Sequence, residues 1–246
     1  MRLSFKRQPH NIKDNMNFRN KIFNRAKNIL LFLKHPQAEQ HEIDTNGTKI
    51  FRITIQYFII IFICLIFISI LLSPIKQLEI CPRLIHKKLP PIIYVILIGP
   101  ILEELIFRLP LKFTPYNILI SISLLLLFLS NNNIYVMLAI SLPLAIFGYH
   151  LYTNTLNIRS RLEYIWKHYF IIIFYFFAIF FGLLHTGYYK VVTPIQYLLV
   201  VLLVLPQIVG SLIMGYARLR YCNGIIITIM LHILYNLLAL GLNALL

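Results

Sequence analysis

The stretch "FRITIQYFIIIFICLIFISILLS", residues 51–73, carries one charged side chain, Arg52, and that lies at its start. A helix rises ~1.5 Å per residue and a bilayer's hydrocarbon core is ~30 Å thick, so ~20 apolar residues suffice to cross it. This run is long enough. The rest of the chain agrees: 59% of its 246 residues are hydrophobic and 13% charged, with a mean hydropathy of +0.77. A soluble domain of this length could not cover so much apolar surface with so few polar groups. The expected fold is all-α, a polytopic transmembrane helical bundle.

Working outward, further apolar segments fall at 91–108, 117–130, 134–150, 169–186, 194–216 and 224–245. With the first they make about seven candidate spans. The two flanking "SNNN" (130–133) are short enough to form a hairpin that does not fully cross. Segment 151–168, with Arg159, Arg161, Glu163, Trp166 and Lys167, reads as a loop or surface helix. Upstream, "KIFNRAKNILLFLK" (21–34) alternates basic and apolar residues and is too short to span, which suits an amphipathic helix at the membrane interface. Residues 35–49 form a turn-rich linker. Three regions follow: a basic arm with its interfacial helix (1–50), a first span with a polar connection (51–90), and a core (91–246). No internal repeat is visible.

The net charge is +15, and eleven of the 23 Lys and Arg lie in residues 1–52. No nucleic-acid-binding fold stands behind this arm, so nucleic acid is not an expected partner. A basic segment ahead of a first span is expected to face the cytoplasm and anionic lipid. With the N-terminus inside, the inner side collects 18 of the 23 basic residues, favouring an N-inside, C-outside topology. Cys64, Cys81 and Cys222 are scattered and form no CxxC, so neither a disulfide framework nor a zinc site follows from them. The first residues lack the apolar core and cleavage site of a signal peptide, and the first span is expected to remain.

Charged groups at membrane depth are costly and mark function by default. The apolar segments hold Glu103, Glu104 and Arg108 in "GPILEELIFRLP" (99–110), His185, and His232 with Asn236. Each alone has a structural explanation, as a snorkelling arginine, a helix cap or an interhelical hydrogen bond. Together they point to a site. Glu104 and Arg108 are four apart and can pair on one helix face. Glu103 is turned by ~100° and lacks that arginine, leaving it able to take a proton from water. His232 and Asn236 share a face and could jointly donate to an oxyanion. Phe181 and His185 repeat the interval, setting the imidazole beside an aromatic wall, where it could orient the water. No HExxH occurs, since His41–Glu42 has Thr45 where the second histidine would stand. A zinc site would need Glu103, His185 and His232 to converge from three helices. A metal-free glutamate mechanism is favoured, with no cofactor, and zinc is the alternative.

Three motifs, in order and on separate apolar segments, carry a resemblance. Glu103–Arg108 matches EExxxR, Phe181–His185 matches FxxxH, and His232–Asn236 matches HxxxN. The set resembles the CPBP (ABI) family of intramembrane endopeptidases, which includes CAAX prenyl proteases of the type 2-like, Ras-converting class and bacterial proteins of bacteriocin processing and self-immunity. It covers roughly residues 91–245. The resemblance implies Glu103 as the base that activates water, Glu104 and Arg108 as organisers of the site, His185 assisting the water, and His232 with Asn236 as the oxyanion hole. The family has often been called metalloprotease, which keeps zinc open. Leu109–Pro110 stands where the family commonly has glycine, so the helix is expected to end there.

The expected activity is hydrolysis of a peptide bond in a membrane-associated or lipid-modified peptide or protein. The expected home is the bilayer of a bacterial plasma membrane. The alternative is a non-catalytic immunity or scaffold protein, or a proton-coupled transporter, since a buried Glu/His set can also relay protons. If the second segment ran straight, Glu103 and His185 would lie at opposite depths. A helix break at Gly99–Pro100, with the glutamates in the first turn beyond it, would let them meet.

Overall fold

The computed structural model describes residues 17–38, 42–77, 91–129, 142–143, 146, 148–150, 152–153 and 156–245. Its elements are α1 (Phe18–Lys34), α2 (Gly47–Leu71), α3 (Ser73–Gln77), a π-helical turn (Tyr94–Ile98), α4 (Gly99–Phe107), a 3-10 turn (Leu109–Leu111) and α5 (Pro115–Leu129). There follow α6 (Leu156–His168), α7 (Phe170–Leu184), a second 3-10 turn (His185–Tyr188), α8 (Pro194–Leu203), α9 (Leu205–Arg220) and α10 (Gly224–Leu245). The expected hairpin at 130–133, Cys81 and the polar connection beyond residue 77 lie outside the described residues, as does most of 134–150.

Three described helices are long and apolar enough to cross a membrane: Gly47–Leu71, Phe170–Tyr188 and Gly224–Gly241. The pair Pro194–Leu203 and Leu205–Arg220, bent by 40°, makes a fourth if it is one span. Of the other segments expected to span, 91–108 is divided between a π-turn and the nine residues of α4, α5 reaches the edge of the described residues at Leu129, and most of 134–150 lies outside them.

The expected break at Gly99–Pro100 is a π-turn instead. Gly99 and its neighbours keep right-handed helical backbone, and the Gly99 N–H donates to the Tyr94 carbonyl five residues back. Proline has no N–H to give, and a widened turn absorbs the misfit without ending the helix. Consequently Glu103 and Glu104 do not sit in a first turn. Helix α4 does stop before Leu109–Pro110, which form the 3-10 turn.

Small residues bring α7 and α9 together. A Cβ on Gly182 would fall 2.2 Å from Ile208 Cγ1, and one on Gly215 would fall 2.8 Å from Phe174. The two contacts fix an antiparallel register, in which each helix offers a glycine to the other's large side chain. Ala178 and Ser211, both buried, lie between them. Such seams let helices approach closely where lipid supplies no hydrophobic drive.

The N-terminal segment is built into the bundle. Ile29 and Phe32 of α1 are buried, and the Phe32 ring lies 5.2 Å from Phe174 and 5.0 Å from Tyr216. Arg25 Nε donates to Gln56 Oε1 at 2.6 Å, and its guanidinium also donates to the Tyr221 hydroxyl. The linker then straps the α9–α10 connection. The Ile43 N–H donates to the Arg220 carbonyl at 2.9 Å, and the Cys222 N–H to the Ile43 carbonyl at 3.2 Å. Lys112 Nζ reaches the Tyr221 carbonyl at 2.8 Å and Glu42 at 3.0 Å. Helices α2 and α10 leave this clamp side by side.

Candidate active site

Helix pitch assembles half of the site before any tertiary contact. Within α4, Arg108 NH1 lies 3.3 Å from Glu104 Oε1, and both side chains are essentially inaccessible, at 1% and 0%. Within α10, Thr228, His232 and Asn236 recur at four-residue intervals on one face. Helix α7 contributes Phe181 and, one turn later, His185.

Tertiary packing joins the three. The Arg108 guanidinium sits 4.0 Å from the Phe181 ring centroid, a desolvated cation–π contact. Phe181 also meets the His185 ring at 4.9 Å and the His232 ring at 5.9 Å. It is the hub between the motifs. In this register Glu103, His185 and His232 do meet, because α4 descends as α7 and α10 ascend.

His232 stands between the two glutamates. Its Nδ1 lies 2.9 Å from Glu104 Oε1, and its Nε2 lies 3.6 Å from Glu103 Oε2. Glu104 thus meets His232 as well as Arg108, and the imidazole contact is the shorter one. Glu103 is the more open carboxylate, with a side chain 35% accessible against 0% for Glu104. The two adjacent, identical residues thus differ as the sequence suggested: one enclosed, one reachable. His232 Nε2 faces Glu103 Oε2 without a hydrogen bond, and that oxygen is buried with no hydrogen-bond partner among the described residues.

The protonation pattern follows from the acceptors. His185 Nδ1 lies 2.9 Å from the Phe181 carbonyl oxygen, which can only accept. That nitrogen therefore carries the hydrogen and leaves Nε2 bare in the neutral ring. The same holds for His232 Nδ1 against an ionised Glu104. A neutral His232 then accepts at Nε2, and donates to an oxyanion only when protonated. Asn236 is partly committed as well, for its Nδ2 donates to the Val95 carbonyl at 2.8 Å. That carbonyl's partner in the π register would be the missing N–H of Pro100. One of the two amide hydrogens of Asn236 thus repairs the turn.

Sequence reasoning missed three contributors. Thr228, wholly buried, neighbours Glu104, and its place one turn before His232 was the available signal. Tyr188 sets its ring 5.8 Å from His185 and couples to Glu103. The Val95 carbonyl had no signal beyond the proline five residues on. Among the described residues no group of three or more His, Cys, Asp or Glu is arranged to hold a metal ion.

No protein-family model, no curated protein and no solved structure matches the chain.

Proposed function

We propose that the chain is an intramembrane endopeptidase that hydrolyses a peptide bond of a membrane-associated or lipid-modified substrate with glutamate-activated water, as its likeness to the CPBP motifs implies. The observation that carries the proposal is His232 held at 2.9 Å from an enclosed Glu104 and 3.6 Å from a reachable Glu103. Glu103 takes the proton of the attacking water and returns it to the amine nitrogen as the tetrahedral adduct collapses and the C–N bond breaks. His185, through its bare Nε2, holds that water in line. The other amide hydrogen of Asn236, with His232 Nε2 once protonated, receives the developing oxyanion. Glu104, Arg108 and Phe181 hold these groups in place. Bond cleavage near lipid needs a protected water, a base and an oxyanion site, and each has a candidate here.

The protein would sit in a bacterial plasma membrane with its N-terminus cytoplasmic. The outer face of α1, where Phe23 and Leu30 are 70% and 64% exposed, would lie along the inner interface. No cofactor is needed by this scheme, and zinc dependence would show as inhibition by a chelator that added zinc reverses.

The test compares membrane proteomes of cells carrying the wild type and Glu103→Gln. At least one membrane peptide cut by the former should stay intact with the latter, while both proteins accumulate equally. Cleavage retained by Glu103→Gln refutes the role. The Glu103–His232–Glu104 chain also suits a proton relay in a transporter, and a pH-gradient assay in proteoliposomes separates that class.

A further inference from the structure

We infer that a groove between α5 and α7 is a binding site for one acyl chain of an anionic phospholipid whose headgroup rests against α6. The inference rests on membrane residence and not on the protease proposal. The groove has a volume of about 290 Å³ and is lined by Pro110, Ile118, Ile122, Trp166, Ile173 and Phe177 among others. Its lip is lipid-facing, since Ile172 and Phe176 on the same helix are 65% and 58% exposed.

Three observations select the occupant. Water does not suit the groove, because a held water needs two to four polar partners. The one hydroxyl in the lining, Ser121, already donates to the Ile106 carbonyl at 2.6 Å. An extended hydrocarbon chain needs no polar partner and is far slimmer than a helix about 10 Å across.

The third observation is the polar tip that Trp166, its ring 5.3 Å from Phe113, brings to the lining. Its Nε1–H is buried and has no acceptor among the described residues. An acyl ester carbonyl is the acceptor a lipid brings to the depth at which tryptophan sits. The same helix, α6, also carries Arg161 and Lys167 against the single acid Glu163. An apolar slot with an unpaired indole N–H in its wall and cations on the same helix matches the tail, ester and headgroup of an anionic phospholipid. Because Phe177 also packs with Ile106, Phe107 and Phe181, the bound chain would support the rear of α4.

Trp166 is the sole tryptophan, which makes it a built-in probe. The full chain is placed in nanodiscs of neutral lipid, and its tryptophan fluorescence is titrated with phosphatidylglycerol brominated on the acyl chain. Brominated phosphatidylcholine serves as the control. Phosphatidylglycerol should quench saturably and at lower mole fraction. Arg161→Gln with Lys167→Gln should raise the half-saturating fraction about fivefold per charge removed, the factor a basic side chain contributes beside an anionic surface. Ile122→Phe, which fills the groove, should abolish the saturable component for both lipids. Should it fold poorly, Ile118→Phe asks the same question from the neighbouring turn. Equal, non-saturating quenching by the two lipids, or saturable quenching that survives a filled groove, overturns the site. None of these readouts depends on cleavage, so they stand or fall apart from the endopeptidase proposal.

Discussion

Replacing Asn236 with alanine should destabilise the protein, and replacing Pro100 with alanine in the same chain should restore it. In the π-turn the Gly99 N–H is spent on the Tyr94 carbonyl. The next carbonyl, Val95, would look to residue 100, where proline offers nothing. Asn236 Nδ2 fills that place at 2.8 Å. Asn236→Ala strands a carbonyl where little water can reach it, a cost of about 1–3 kcal/mol. For a chain of this size each kcal/mol moves the melting midpoint by about 2–4 °C, so a fall of about 2–12 °C is expected. Pro100→Ala returns an N–H on the helix itself and should recover most of that loss. Thermal unfolding in detergent, followed by Trp166 fluorescence, measures all four proteins. A double variant no more stable than Asn236→Ala would refute the account, as would an unshifted single variant. Cleavage by the double variant then isolates the chemical role. If the second amide hydrogen serves the oxyanion, the stabilised double variant should remain about 100- to 1000-fold slow, the usual consequence of losing one such donor.

Arg108→Met should cost about 3–5 kcal/mol, because it strands the buried Glu104 carboxylate; a separation of 3.3 Å corresponds to about 5 kcal/mol of attraction at an effective dielectric of ~20. In a double-mutant cycle with Glu104→Gln, measured by the same unfolding assay, the pair should be far from additive, and additivity would refute the ion pair. Gly182→Ala should lose about 1–3 kcal/mol by driving a methyl into Ile208, and Ile208→Ala should relieve part of it. Gly224→Ala should lose more than Gly182→Ala, since its Cβ would stand 2.3 Å from the backbone oxygen of Arg218, which cannot swing aside as a side chain can. Equal stability of the two glycine variants would contradict that distinction.

How much of this was legible in the sequence depends on what fixes each contact. Glu104 with Arg108, Phe181 with His185, and Thr228 with His232 and Asn236 are set by helix pitch, so spacing alone placed each group on one face. The amphipathic pattern of α1 was legible in the same way, but not what covers it. Ile29 and Phe32 pack on protein, while Phe23 and Leu30 stay outside. The strap of Ile43 on Arg220 and Cys222 joins residues far apart in the chain through backbone groups, which leave no residue-specific signal. Hydropathy in the same way marks 91–108 as one apolar segment and is blind to the π-turn and the 3-10 turn that bound α4.

The adjacent glutamates show where pattern ends and packing begins. The α4 pitch settles that Glu104 can reach Arg108 and that Glu103 cannot from the same face. It does not settle which of them His232 will meet, because that contact spans 128 residues of sequence. The register of α10 against α4 decides it, and Asn236 on Val95 is one pin of that register. Proline at position 100 creates the unpaired carbonyl, the carbonyl engages Asn236, and Asn236 sets α10 at the height where His232, one turn away, lies between both carboxylates. A residue that looks like a helix breaker is thus part of what aligns the site, and its effect reaches Glu103 without touching it.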